Sequence, residues 1–270
     1  MAFMTVDFKK CVKDYLCVAD CPMELIKKKE NGYPESIEGA DELCISCGHC
    51  VAICLAGALS LEKVPVEQCV PLPGEWRKDV DFVLRGRRSI RNFKDKVVDK
   101  VVIEELIDTA RYAPSGINRQ PVRWIIIYDP KIVHDIAGEV INWQRKMIAD
   151  NSPLAASLRF DRLVEAWDKG KDRICRGAPR LVLAYALKDD MTAPQACTIA
   201  AAYLEIAAVT KGLGTCWAGY LNMAVNMWPP AQELAGMNKR CACYAALMLG
   251  WPKFEYKRIP LRNKANIAWR

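Results

Sequence analysis

The chain has 270 residues, 13 of them cysteine and only two histidine, and a net charge of +7. That length holds one or two domains, and two histidines leave no plausible Ser-His-Asp triad and no metal-ligating histidine pair. No run of about 18 apolar residues occurs, so no membrane span is expected, and no helix-turn-helix, RNP or zinc-finger pattern accompanies the basic excess, so no nucleic-acid partner is expected. The opening MAFMTVDFKK lacks the apolar run of a signal peptide, so a cytoplasmic, reducing location is expected. The charge is unevenly spread: residues 1–74 carry −4 and the rest +11.

Residues 1–63 hold two motifs 33 positions apart, Cys11, Asp14, Cys17, Cys21 and Cys44, Cys47, Cys50, Cys54. The second is C-x2-C-x2-C-x3-C, the thiolate spacing of a [4Fe–4S] cluster, and the first has a carboxylate in place of one thiolate. Three close cysteines can cap three irons of one cubane. The fourth lies too far along to close it and, in two-cluster ferredoxins, serves the other cluster. Zinc would accept four of these thiolates but does not need eight positions in step, and disulfides would need an oxidising compartment. His49 reads as a neighbour that tunes a cluster and His134 as a surface or satisfied histidine. This segment resembles a bacterial two-cluster ferredoxin. The resemblance implies that Cys11, Asp14, Cys17 and Cys54 hold cluster I and that Cys44, Cys47, Cys50 and Cys21 hold cluster II. It also implies that Asp14 is a weak iron ligand, and that loss of its iron leaves a [3Fe–4S] cluster.

Residues 64–74, VPVEQCVPLPG, read as a semi-rigid linker, and 75–270 as a second domain with its own core. Ile103, Leu106, Ile107 and Ala110 share one face of a helix predicted over 101–112. The β-branched run 123–128 reads as a buried strand, with further strands at 181–186 and 242–249. Cys241 and Cys243 alternate on the last of these and are expected to be buried. Helices are predicted over 131–149, 153–169 and 195–211, the last with Pro194 in its first turn and Gly212 just past its end. Helices and strands without a βαβ rhythm give the α+β class. The six cysteines outside the motifs have no metal spacing.

Residues 87–93 read RRSIRNF, three arginines and a serine that form an anion-binding set, since guanidinium forks match phosphate oxygens. APSGINRQP follows at 113–121, GLGTCWAGY at 212–220, LGWP at 249–252 and YKRIP at 256–260. In this order the segments resemble the nitroreductase family of FMN flavoproteins, over roughly 82–262. The resemblance implies that Arg87, Arg88, Ser89 and Arg91 contact the FMN phosphate, ribityl chain and ring edge. It implies that Pro114, Ser115, Gly116 and Asn118 lie against the ring from the partner subunit of a homodimer. Cys216, Trp217, Ala218 and Gly219 would face the ring, with a main-chain N–H near N5, and Lys257 and Arg258 would reach the phosphate. Ala218 stands where some members carry Glu. No side chain is assigned as catalytic, because flavin does the chemistry; Ala218 and Gly219 are the candidates nearest the ring.

The expected activity is that of an oxidoreductase in which two iron–sulfur clusters relay electrons to FMN. FMN in turn reduces a small organic acceptor such as a nitroaromatic, quinone or activated alkene. Reduced ferredoxin or flavodoxin is the expected donor, with NAD(P)H the alternative. Reverse flow from substrate to an external ferredoxin, and a non-catalytic electron carrier, are the rival readings.

Overall fold

The computed structural model describes residues 3–30, 32–75, 79–116 and 119–270. The chain forms two compact units, one of Met1–Arg88 with Phe254–Arg270 and one of Ser89–Lys253. No helix is long and apolar enough to cross a membrane among the described residues.

The first unit begins with β1 (Met4–Val6), α1 (Leu16–Asp20), β2 (Ile26–Lys28), β3 (Pro34–Ser36), α2 (Ala40–Leu43), α3 (His49–Ile53) and β4 (Leu59–Leu61). β1 pairs with β4 and β2 with β3, both antiparallel. The 33-residue repeat is carried by the backbone as well as by the ligands. Left-handed residues recur in step at Lys13 and Ser46, at Tyr15 and Gly48, and at Glu24 and Gly57. α1 and α3 occupy equivalent places, as do β2 and β4. Non-glycine residues rarely adopt this conformation, so its presence at Lys13, Tyr15 and Glu24 of the first copy, matched by Ser46, Gly48 and Gly57, marks one turn geometry shared by both copies. Val51, Ala52 and Ile53 of α3 are fully buried and, with Leu59 and Leu61, make a small core.

A 3-10 turn at Val66–Gln68, β5 (Val70–Pro71) and α4 (Val80–Gly86) complete this part. Asp79 caps α4 by accepting from the N–H groups of Asp81 and Phe82. β5 pairs antiparallel with the chain's last strand, Arg258–Ile259. The stretch 64–74, expected as a linker between domains ending at 63 and starting at 75, is thus part of the first unit. The chain's end joins it there, because a two-residue strand satisfies its backbone only against a partner from elsewhere in the sequence.

The second unit contains α5 (Lys100–Ala110), β6 (Arg123–Ile127), α6 (Pro130–Ala149), α7 (Pro153–Ser157), α8 (Phe160–Asp168), β7 (Arg180–Leu187), α9 (Ala193–Thr210), β8 (Gly214–Trp217), α10 (Gly219–Met227), α11 (Pro229–Leu234) and β9 (Cys241–Gly250). Its strands form one antiparallel sheet in the order β6-β7-β9-β8. Side chains alternate across it: Leu181 and Leu183 enter the core under α6, while Val182, Ala184 and Ala186 enter the core under α5 and α9. Both faces are covered, which is why these strands read as continuous apolar runs. Cys241 and Cys243 share one face and are buried. The helix expected over 153–169 is two helices, broken by the left-handed Arg159. The turn buries Phe160 completely, 5.2 Å from the ring of Trp143.

Two glycines position residues 89–93. A Cβ on Gly214 of β8 would collide with the side chain of Ile90, lying 2.9 Å from its Cβ, and one on Gly250 of β9 would lie 2.7 Å from the ring of Phe93. The Ile90 N–H donates to the Thr215 carbonyl at 2.8 Å. Gly214→Ala should therefore overpack this crossing and cost about 1–3 kcal/mol. Urea denaturation should show that loss, and Ile90→Ala in the same chain should recover more than half of it; additive losses would contradict the crossing.

Candidate cofactor sites

The repeated loops of the first unit enclose two cavities. One is lined by Cys21, Cys44, Cys47 and Cys50. The other is lined by Cys11, Asp14, Cys17 and Cys54. Each therefore collects three motif side chains from one copy of the repeat and the fourth from the other. Burial pushes the Cys17 thiol up to about 12, with Cys54, Asp14 and Cys11 adding to it. Burial likewise raises Cys50, with Cys47 and Cys21 the next contributors. Groups that oppose one another's ionisation lie close together. Among the described residues no three His, Cys, Asp or Glu side chains are gathered tightly enough for a single ion. Four thiols, or three and a carboxylate, around a space of several atoms suit an iron–sulfur cluster.

Backbone N–H groups donate to sulfur at equivalent places. Leu25 donates to Cys21 at 3.3 Å and Ala58 to Cys54 at 3.2 Å, while Ser46 donates to Cys44 at 3.4 Å. The Leu16 N–H donates to the Asp14 carboxylate at 3.1 Å. His49 is buried beside Cys50, its ring edge-on to Tyr256 at 5.7 Å. His134 is exposed and stacks on Trp167.

A third cavity, of about 510 Å³, lies in the same unit between α4 and the chain's end. Arg85, Arg87, Arg88 and Arg262 line it, with no acidic side chain. Arg88 is buried and donates to the carbonyls of Arg85 and Gly86. Burial, then Arg262 and Arg87, pull its pKa down to about 10, so it stays cationic at neutral pH. Arg85 is paired with Asp81 at 3.1 Å, and guanidinium groups that converge on one recess make a ready seat for phosphate.

In the second unit Ser89, Arg91 and Arg176 gather at Cys216 of β8. Cys216 is buried and its thiol is raised by that burial, against the pull of Arg91, Arg176 and a hydrogen bond with Ser89. Arg176 is lowered by burial and then by Arg91. Its loop is held by Asp172, whose carboxylate accepts from the N–H groups of Ile174, Cys175 and Gly177. Glu205 of α9, also buried, accepts from Thr215 Oγ1 at 2.9 Å and from Trp217 Nε1 at 3.3 Å. It thereby fixes the partly exposed Trp217. The Ala218 N–H is engaged by the Ala246 carbonyl at 2.8 Å, which leaves Gly219, at the start of α10, as the better candidate for an amide turned to a ligand.

Pro114 and Ser115 line a separate cavity of about 190 Å³ with Ala196 and Ala200 of α9. Ser115 Oγ accepts from the Gln120 N–H at 2.9 Å, and Gly116 packs on Thr192. Asn118 lies outside the described residues. The pair expected on the phosphate is placed differently. Lys257 pairs with Glu255, and Arg258 donates to the carbonyls of Cys54 and Leu55. Strand pairing with β5 turns Arg258 to the cluster loops, and Arg262 takes the place beside Arg88. Arg176, Glu205 and Arg262 escaped the sequence reading, since none lies in a spacing pattern and each is set by a contact distant in the chain.

The nitroreductase family profile matches residues 84–251, and a 4Fe-4S dicluster domain profile matches residues 3–55. An iodotyrosine deiodinase of Thermotoga neapolitana is 30% identical over 192 residues, covering 68% of this chain and 94% of that protein. A crystal structure of a nitroreductase with bound FMN from Desulfitobacterium hafniense superposes with a TM-score of 0.59 at 22% identity, covering 71% of this chain and 97% of that one. One from Bacteroides fragilis, also with bound FMN, gives 0.57 at 17%, covering 70% and 95%. The covered antiparallel sheet thus has its counterpart among known structures, and the chain belongs to the nitroreductase family as an oxidoreductase that joins a flavoprotein fold to a 4Fe-4S dicluster domain.

Proposed function

We propose that this protein is an FMN-dependent oxidoreductase that receives single electrons at two iron–sulfur clusters and delivers them through FMN to a small organic acceptor. The convergence of eight repeat-related ligands on two cavities, in a chain that also carries arginine-rich anion seats, carries this reading. Bound FMN would supply the exchange between one-electron and two-electron chemistry. The chain's own residues would do the rest. Arg87, Arg88 and Arg262 hold the phosphate, the last in the role expected of Arg258. Ser89, Arg91 and Arg176 present positive charge and a hydroxyl that favour an electron-rich ring. Glu205 orients Trp217, whose exposed edge offers a stacking surface for an aromatic acceptor. Pro114, Ser115, Gly116 and Asn118 would close the ring site from a partner subunit in a homodimer.

Reduced ferredoxin or flavodoxin is the proposed donor, in a cytoplasmic setting. Nitroaromatics, quinones and activated alkenes are the acceptors to test first. The similarity to an iodotyrosine deiodinase adds a second reading, reductive dehalogenation of a halogenated phenol. Anaerobic stopped-flow reduction decides the route. Photoreduced ferredoxin should bleach the clusters before the flavin; flavin bleaching by NADH with the clusters untouched would defeat the relay. Turnover of 3-iodotyrosine ahead of quinones and nitroaromatics would favour the second reading.

Two substitutions test the ligands. Arg88→Ala or Arg262→Ala removes a charge-assisted hydrogen bond worth about 1.5–3 kcal/mol, so FMN affinity by fluorescence titration should fall at least about tenfold. Arg258→Ala should leave it within about threefold. Asp14→Cys should make cluster I resist iron loss under ferricyanide, read by iron content and EPR; equal lability in both proteins would remove Asp14 from the ligand set.

A further inference from the structure

The segment 256–260, which the family resemblance directed to a flavin phosphate, pairs with β5 and is bonded on its other side to the cysteine-bearing loops. The Tyr256 hydroxyl donates to Asp20 at 2.8 Å, next to Cys21. The Lys257 N–H donates to Ala52 of α3 at 2.9 Å. Pro260 packs on Gly48, between Cys47 and Cys50. Arg258 places its guanidinium on the carbonyls of Cys54 and Leu55.

That placement breaks the symmetry of the repeat. A Cβ on Gly57 would lie 2.5 Å from Arg258 Nη2 and 3.0 Å from its Cζ. The left-handed turn alone does not demand glycine here, because Glu24 adopts the same conformation, φ 53° against 62°, at the equivalent position of the first copy. The guanidinium of Arg258 lies over Gly57 beside Cys54, where the first copy carries a carboxylate, Asp20, beside Cys21.

The geometry points to Arg258 as a residue that raises the reduction potential of cluster I relative to cluster II. This rests on the assignment of Cys54 to cluster I made above. Reduction adds one electron to a cluster without making or breaking a bond. A fixed neighbouring cation lowers the energy of the more negative state. Arginine stays charged at every working pH, and its hydrogen bonds hold it at the ligand's own carbonyl. The effect on cluster II is expected to be smaller, because the guanidinium itself is hydrogen-bonded at Cys54, a ligand assigned to cluster I.

The test is an EPR-monitored potentiometric titration of the full-length holoprotein, with dithionite as the electron source. Asp14→Cys, which alters one cluster's ligand set, identifies the signal of cluster I. At the potential that half-reduces wild-type cluster I, Arg258→Gln should lower the ratio of reduced to oxidised cluster about tenfold, a downward shift of about 59 mV for one electron. Cluster II should move less than threefold, and Arg258→Lys should keep cluster I within threefold of wild type. An unmoved cluster I, or equal movement of both, overturns the proposal. If Arg258→Gln does not assemble, Arg258→Lys decides: a cluster I potential near wild type supports the charge role, and a tenfold fall or failure to assemble overturns it in favour of a purely structural bond. Iron and sulfide counts on the wild type keep the two claims apart. Too little metal for two clusters sinks the underlying reading, whereas full clusters with unmoved potentials sink this inference alone.

Discussion

The close burial of thiols beside one another is the constraint on which the N-terminal unit is built. Cys17 and Cys50 are buried, and each is flanked by groups that would carry the same negative charge. Uncompensated buried charge is expensive, so such an arrangement is stable only with cationic metal at its centre or with its thiols protonated. Metal binding then contributes folding free energy directly. The core of this unit is small, a handful of side chains around α3 and β4, and could not hold the loops in so crowded a form alone. The left-handed turns that recur at an interval of 33 residues are the backbone's answer, since each bends the chain sharply enough to bring sulfur and amide N–H groups to face inward together.

In the second unit the corresponding problem is positive charge. Arg91 and Arg176 lie close enough to affect one another, and burial compounds the cost. Repulsion of this kind is tolerated where an anion or an electron-rich ring relieves it. The scaffold that imposes it is rigid: residues 89–93 are pinned across Gly214 and Gly250, and β8 is held between β9 on one side and the buried Glu205 on the other. Ser89 and Arg91 thus take their places from the sheet.

Much of this was legible in the sequence because it was periodic. The ligand spacing states its own repeat, and the apolar runs of β7 and β9 and the alanine-rich α9 announce elements buried on more than one side. Other features depended on contacts that no local pattern records. The run 153–169 looks uniformly helical, yet burying Phe160 against Trp143 requires a left-handed break at Arg159. Glu205 reads as one acidic residue on an apolar helix until Thr215 and Trp217 arrive from β8. The proline-rich stretch 64–74 reads as a spacer because the partner of β5 lies nearly two hundred residues further on.

The chain's end shows why a motif and its contacts can part company. YKRIP follows the order of family segments, which directs its basic pair to a phosphate. Side-chain direction in a strand is fixed by pairing register, and a shift of one residue turns every side chain to the opposite face. Here Arg258 pairs with Pro71 and Ile259 with Val70. That register commits Arg258 to the loop that Gly57 opens, while the chain continues to Arg262 beside Arg88. A phosphate seat needs guanidinium forks converging from two segments and is indifferent to which position supplies the second. Arg258 is instead bound to the carbonyls of Cys54 and Leu55 with Gly57 beside it, and the second guanidinium next to Arg88 comes from Arg262, four residues further along the chain.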